Sequence, residues 1–426
     1  MITTEITREQ MPTATTANNH PVHRWYNFIA GYSPEYVEFT IKNFKKRNGY
    51  LPRKIYDPFA GCATTNVVAN DMGIPSIGVE RNPIFYRIGK AKTNAARMLD
   101  LFPTIANEFH DVISEHPREI SNTRLPKDAA TYLNKLFEER TLKVLLQLRD
   151  KVLSYSDSKF DAGFIFLNKI LDMATNSQTD GIYKAPTSKK KAVALEDAVR
   201  KTLFEFQKDS LFVAGQDNLC EYIFDSSTNY EITSETIDLV VFSPPYLNNF
   251  DFAEMTRMQL YFWGEAGSWK EISDKHRNHM IVNTTTALKL VRSPEEQAKL
   301  RLTLPNCLLK KLDVLVGELE VVKKTRPSRK PYDLLVYPYF SQMQEVLLHC
   351  YNGMKQNGAI HIIVSDAAFY GVHVDTQNFL AEIMLDIGFK SVSIGRLRTR
   401  GDRWELKKRA HSGKQLGEYE IIAHKE

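Results

Sequence analysis

A doubly wound α/β domain is the fold that this chain of 426 residues predicts, on three observations. Strand-like and helix-like segments alternate near both ends of the sequence. The stretch "KIYDPFAGCATTNVVANDMGIPSIGVERNP" reads as short strand, small-residue turn, helix, Gly73 stop and second strand, a βαβ unit that calls for a parallel sheet. The apolar run "IDLVVF" (237–242) has the composition of a buried strand, and it stops at two prolines that cannot donate to a sheet ladder. Two middle regions interrupt the alternation, so one large domain with insertions fits the length.

In chain order, the Thr-rich polar start "MITTEITREQMPTATTANN" has no apolar core, which excludes a secretory signal; residues 1–20 are expected as a disordered leader. Residues 21–95 open the domain. Ser33, Pro34 and Glu35 give an N-cap, a proline at the first helical position and an acidic first turn, with Tyr36, Val37, Phe39, Thr40 and Phe44 along one side of the helix. Residues 96–205 change to helical spacing in "YLNKLFEERTLKVLLQLRDKVL" and "FDAGFIFLNKILDMA", a helical insertion ending in the polar stretch "TNSQTDGIYKAPTSKKK". Strand signals return in 206–263 at "SLFVAG" (210–215) and at "IDLVVF". Residues 264–335 read as a second, irregular insertion. In 336–426, "FSQMQEVLLHCYNGMKQNG" is a helix ending at Gly358, "AIHIIVSD" a buried strand, "TQNFLAEIMLDIGF" a helix stopped at Gly388, and "SVSIGRLRTRG" with "EYEIIAHK" an antiparallel pair at a sheet edge.

Composition narrows the classes. Hydrophobic residues make up 43%, and Lys plus Arg exceed Asp plus Glu by 56 to 51, which permits a polyanionic partner without requiring one. Cys62, Cys220, Cys307 and Cys350 lie far apart with no C-x-x-C pair, against a disulfide framework or zinc site and in keeping with a reducing cytoplasm. No apolar run reaches the ~20 residues of a membrane span. His276 and His279 in "KHRNHM" lack a nearby Cys or acid pair, so no metal is expected.

The turn "DPFAGCATT" (57–65) sets Gly61 among small residues before a helix N-terminus, where a ligand can approach the backbone. Glu80 ends the second strand, 23 residues after Asp57, where a carboxylate meets ribose hydroxyls in open α/β sheets. Taken singly, Asp57 reads equally as a helix cap and Glu80 as a solvated acid; as a pair around this turn they favour a ligand. G-x-G-x-x-G is absent, and Asp57 would repel a pyrophosphate, which argues against a dinucleotide oxidoreductase. A cationic, adenosine-bearing molecule such as S-adenosylmethionine satisfies both carboxylates.

At these residues the sequence resembles the amino-methyltransferase branch of the S-adenosylmethionine-dependent DNA methyltransferases. "DPFAGCATT" resembles the first motif of that family, "GVERNP" the second, "AGQDN" the third and "SPPY" (243–246) the catalytic fourth, while "WYNFIAGYSPEYV" resembles the segment that packs on the methionine end. The resemblance implies a mostly parallel, seven-stranded Rossmann-like methyltransferase sheet with an antiparallel edge strand. It also implies cofactor contacts from Tyr32, Ser33, Asp57, Pro58, Phe59, Gly61, Thr64, Thr65, Glu80, Arg81, Asn82, Asp217 and Asn218, and catalysis by Ser243, Pro244, Pro245 and Tyr246. The serine spelling is the one usual among enzymes that methylate cytosine N4; adenine N6, or an RNA amine, is the alternative with the same chemistry. A non-catalytic DNA-binding subunit retaining the fold is the alternative of another class.

An exocyclic base amine is a poor nucleophile because its lone pair is delocalised into the ring. The Ser243 hydroxyl and Pro244 carbonyl are the acceptors that would stabilise charge as the methyl arrives, Pro245 keeps the turn rigid, and Tyr246 offers a stacking face. Within duplex DNA the target base must be flipped out. Phe250 and Phe252 read as core residues before they read as pocket walls. The basic stretches 187–191, 323–330 and 396–409 each read singly as solvated surface and together as at least one DNA contact, with target recognition placed first in 264–335 and second in the helices of 95–205. A restriction nuclease is the partner such an enzyme would protect against.

Overall fold

The structure is a computed structural model that describes residues 11, 16–115, 125–180, 183–213, 218–247, 250–399 and 415–426. Its strands are β1 (Ile55–Asp57), β2 (Ser76–Glu80), β3 (Ser177–Asp180), β4 (Tyr183–Lys189), β5 (Cys220–Phe224), β6 (Ile237–Phe242), β7 (Met354–Ser365), β8 (Ala367–Phe369), β9 (Val372–Val374), β10 (Lys390–Thr399) and β11 (Gly417–His424). Seven of them form one sheet in the order β10-β11-β7-β6-β1-β2-β5. β5, β2, β1, β6 and β7 are mutually parallel, and β11 runs antiparallel between β7 and β10. This is the doubly wound, mostly parallel α/β sheet that the sequence predicts.

The centre of the sheet is apolar because it is covered on both faces: every residue of β6 is buried. One face carries α1 (Pro34–Asn48), whose N-terminus is capped as expected. The Ser33 hydroxyl accepts the Tyr36 N–H at 3.2 Å, and Gly49 ends the helix in the left-handed conformation. α2 (Thr64–Asp71) and α3 (Pro83–Thr93) follow β1 and β2.

The helical insertion comprises α4 (Ala95–Ser114), α5 (Lys127–Leu136), α6 (Glu139–Leu153), α7 (Asp157–Ala174) and α8 (Leu195–Gln207). It does not form a separate body, because its core continues into the start of the chain. Trp25 stacks on Phe206 with centroids 4.9 Å apart, and the buried Asp209 carboxylate accepts the Val22 N–H at 2.7 Å and the Trp25 indole N–H at 2.9 Å.

Several expectations need correction. Residues 16–20 do not form a loose leader: Ala17–Asn19 is a short 3-10 turn, and Thr16 and His20 both bond Glu35 on α1. "SLFVAG" is not a strand; Ser210–Val213 is helical, with Leu211 and Phe212 exposed, and residues 214–215 fall outside the described set. The strand of that region is β5, an edge strand whose mixed exposure leaves no apolar run in the sequence. The polar "TNSQTDGIYKAPTSKKK" forms the antiparallel hairpin β3–β4, and 264–335 is largely helical, with helices at Trp269–Lys275, Pro294–Thr303 and Asn306–Lys324. The helix before β7 ends at Gly353; Gly358 instead sits in an irregular start of β7, where a Cβ would come 2.8 Å from the Lys355 carbonyl.

Candidate active site

The strand order reverses between β1 and β6, and in open α/β sheets the crevice at the carboxyl ends of such strands receives ligands. Here that crevice is a cavity of about 730 Å³. Gly61, Glu80 and the Ser243–Tyr246 corner all line it, so the turn after β1, the tip of β2 and the end of β6 open onto one space.

On the β1–β2 side the turn is held by its neighbours. Glu80 accepts the Gly61 N–H at 2.9 Å and the Asn82 N–H at 2.6 Å, while the Gly61 carbonyl accepts the Tyr222 hydroxyl at 2.8 Å. Glu80 is therefore not simply a solvated acid. Burial pushes its carboxyl up to about 7 against the pull of those two N–H groups, although it keeps partial contact with the cleft. Gly61 has a φ of +55°, and a Cβ there would meet the Phe28 ring at 3.0 Å, so glycine keeps this wall thin. Asp57 does not cap α2. It accepts the Phe59 N–H at 2.9 Å and the Tyr32 hydroxyl at 2.6 Å, and burial raises it to about 6 despite those bonds.

The residues named for the cofactor fall into four groups. Tyr32, Pro58, Phe59, Gly61, Thr64, Glu80 and Arg81 line the cavity. Asp57, Thr65, Ser33 and Asn82 are buried behind it. The Thr65 hydroxyl bonds Tyr32; Asn82 caps α3 and donates to Thr256 Oγ1 at 2.9 Å, tying this side to the segment after the catalytic corner. Asn218 is misplaced: it caps the start of β5, at the sheet end opposite the cleft, with its Oδ1 accepting the Cys220 N–H at 2.9 Å. Asp217 lies outside the described residues. The segment that does reach the cavity from this strand follows its other end, at Ser226 and Ser227, and the Ser227 hydroxyl donates to the Pro58 carbonyl.

On the β6 side, Ser243 and Pro244 line the cleft, and among the described residues neither the Ser243 hydroxyl nor the Pro244 carbonyl has a hydrogen-bond partner. Tyr246 is anchored through its hydroxyl, which donates to Glu418 at 2.9 Å; Glu418 in turn accepts from Arg398 Nε at 2.6 Å. Phe250 and Phe252 line the cavity and are half-buried, and Phe252 also packs against the hydrophobic core, so it serves both as core and as wall.

The sequence reading missed Asp251, Arg277 and Asn283. The buried Asp251 carboxylate accepts from Arg277 Nε at 2.8 Å and from the Thr286 hydroxyl at 2.7 Å, and Asn283 holds the Phe250 carbonyl at 2.8 Å. One signal was available: Asp251 and Glu254 have capping-box spacing, and Asp251 does accept the Glu254 N–H. No group of three or more His, Cys, Asp or Glu side chains placed for a metal occurs among the described residues.

The chain is similar to known methyltransferases over most of its length. The chain is 22% identical to the Type II methyltransferase M.BsoBI of Geobacillus stearothermophilus, over 95% of this chain and 84% of that protein. It is 21% identical to the Type II methyltransferase M.AvaI of Nostoc sp. and of Anabaena variabilis, over 87% of this chain and 79% of each relative. No family model matches. A solved rRNA methyltransferase from Streptomyces viridochromogenes aligns over 92% of this chain and 85% of its own at 7% identity, with a TM-score of 0.27, too slight a likeness to bear on the fold.

Proposed function

With the chain a methyltransferase that uses S-adenosylmethionine and resembles the DNA methyltransferases, we propose that it methylates the exocyclic N4 amine of cytosine in duplex DNA, on a base flipped into the cleft. The observation that carries this reading is the Ser243 hydroxyl and Pro244 carbonyl, without hydrogen-bond partners among the described residues, in the same cavity as Glu80.

The cavity fits both ligands in chemistry. Glu80 retains lone pairs for ribose hydroxyls, and the bare backbone at Gly61 lets an adenosine lie close. When bound, S-adenosylmethionine supplies an activated methyl group and a neutral leaving group. The chain supplies positioning. Ser243 and Pro244 accept from the amine and stabilise the positive charge that grows on nitrogen, while Tyr246, fixed by Glu418, stacks on the base. Phe250 and Phe252 exclude water from the base's other edges.

Loss of the base's place in the stack costs a few kcal/mol, which the stacking face and acceptors offset. A hydroxyl in place of the Asp or Asn more usual in adenine enzymes supports cytosine as the base. A modification enzyme of this kind would act in the cytoplasm and protect DNA from a nuclease sharing its recognition sequence. No helix among the described residues is long and apolar enough to cross a membrane.

The test is direct. Duplex DNA and RNA are each incubated with labelled S-adenosylmethionine, digested to nucleosides and separated. Label in N4-methylcytosine is the expected result. Label in N6-methyladenine overturns the choice of base, and label only in RNA overturns the choice of polymer.

A further inference from the structure

Beside the catalytic cleft lies a second groove of about 630 Å³. It runs between α5 and the β3–β4 hairpin, the element that reads in the sequence only as a polar, lysine-bearing stretch. Its walls carry Lys135, Lys184, Lys189 and Arg257 together with Tyr132 and Tyr183. Against these four cations stands one acid, Glu254.

The cations differ in how they are held. Lys184 is paired with Asp172, whose carboxylate also attracts Lys190 and Lys169. Burial alone would raise Asp172, yet it is held below the ordinary carboxylate range, which reports a positive local field. Lys135 and Lys189 have no acid partner among the described residues; the Lys189 ammonium donates only to the Lys135 carbonyl, at 3.1 Å. The Arg257 guanidinium carbon lies 4.1 Å from the Tyr132 ring centroid, and its Nε is buried without a hydrogen-bond partner among the described residues.

The groove is also joined to the chemistry. The Tyr183 hydroxyl accepts the Asp251 N–H at 3.0 Å, so the hairpin is bonded to the segment that walls the cleft. Residues 250–252 line the cleft, and Glu254 and Arg257, less than two turns further on, line the groove. A polyanionic strand lying in the groove would therefore sit next to whatever enters the cleft, with the Lys135 and Lys189 ammonium groups, which have no acid partner among the described residues, at its phosphates.

We propose that this groove is the track for the DNA backbone flanking the flipped base, with Lys135 and Lys189 as phosphate contacts and the β3–β4 hairpin as the arm that seats the strand. The inference rests on DNA being the substrate. It goes further by placing a principal backbone grip in the helical insertion rather than in residues 264–335.

The experiment measures binding of a fluorescent duplex containing a methylated site by anisotropy, over a series of salt concentrations. The proteins are the wild type, K135Q/K189Q, K135R/K189R, and K42Q/K46Q on α1 as control. Two lost phosphate contacts should lower the slope of log affinity against log salt by about 1.8 and weaken binding on the order of 10- to 100-fold at 0.1 M salt. The arginine pair should restore both, the control should match the wild type, and S-adenosylmethionine affinity by calorimetry should be unchanged throughout. If the wild type binds and methylates the duplex while K135Q/K189Q keeps the wild-type slope, the groove assignment is overturned and the proposed function stands. If the wild type neither binds nor methylates any duplex, the substrate reading falls and the groove assignment falls with it.

Discussion

The two ends of the cleft are built in opposite ways. At the cofactor end the contacts of the Glu80 carboxylate close over short stretches of chain, reaching Gly61 across 19 residues and Asn82 across two, and Tyr222 and Ser227 then brace the turn from 161 and 169 residues away. At the base end they close over longer ones: Tyr246 depends on Glu418, 172 residues away, and the Asp251 N–H on Tyr183, 68 residues away. The carboxylate and the glycine turn of the first end belong to one βαβ unit, which β5 and the segment after it brace. The second exists only once the insertions and the final antiparallel strands have packed.

Cutting the base end at its buried charge pair should give the largest effect. Arg277→Met leaves the buried Asp251 carboxylate without its charge partner and should cost about 3 kcal/mol of stability, read as a shift in the urea midpoint. No shift would mean that Asp251 is solvated. Ser243→Ala removes the acceptor for the amine and should lower kcat about 100-fold, with cofactor affinity within about twofold by calorimetry. Parallel loss of both would merge the two ends that the comparison separates.

The cofactor end should answer in the other direction. Glu80→Ala should raise the cofactor Kd on the order of tenfold or more and leave saturated turnover largely intact, as expected for loss of hydrogen bonds to a charged acceptor. The same carboxyl gives a pH signature. It sits near 7 in the free protein because burial disfavours its charged form, and ribose hydroxyls favour the ionised form, so binding must lower this value. Affinity should thus be full above about 7 and fall, by at most about tenfold per pH unit, as pH drops below it. Glu80→Ala should flatten that profile; an unchanged profile assigns the titration elsewhere. The smallest expected effect is Glu418→Gln, which weakens the anchor of Tyr246 and should raise the KM for DNA about threefold without altering cofactor affinity.

The same contrast explains what was legible in the sequence. The parallel centre was readable because β1, β2 and β6 are short apolar runs with turn signals, and Ser33 and Gly49 cap α1 by local chemistry alone. β5 was missed because an edge strand needs no apolar face, and its absence moved the third motif to Asn218, at the wrong end of the strand. The β3–β4 hairpin was missed because its contacts reach residues distant in sequence, such as Tyr183 with Asp251 and Lys189 with the Lys135 carbonyl. Glu418, Arg398 and Arg277 carry no spacing to SPPY that would mark them.

A crystal structure of the protein with S-adenosylmethionine bound measures the central claim most directly. The account predicts ribose hydroxyls within hydrogen-bond reach of Glu80 and the sulfonium methyl directed at the space between Ser243 and Tyr246. A cofactor seated away from Glu80, or with its methyl turned from that corner, would contradict it.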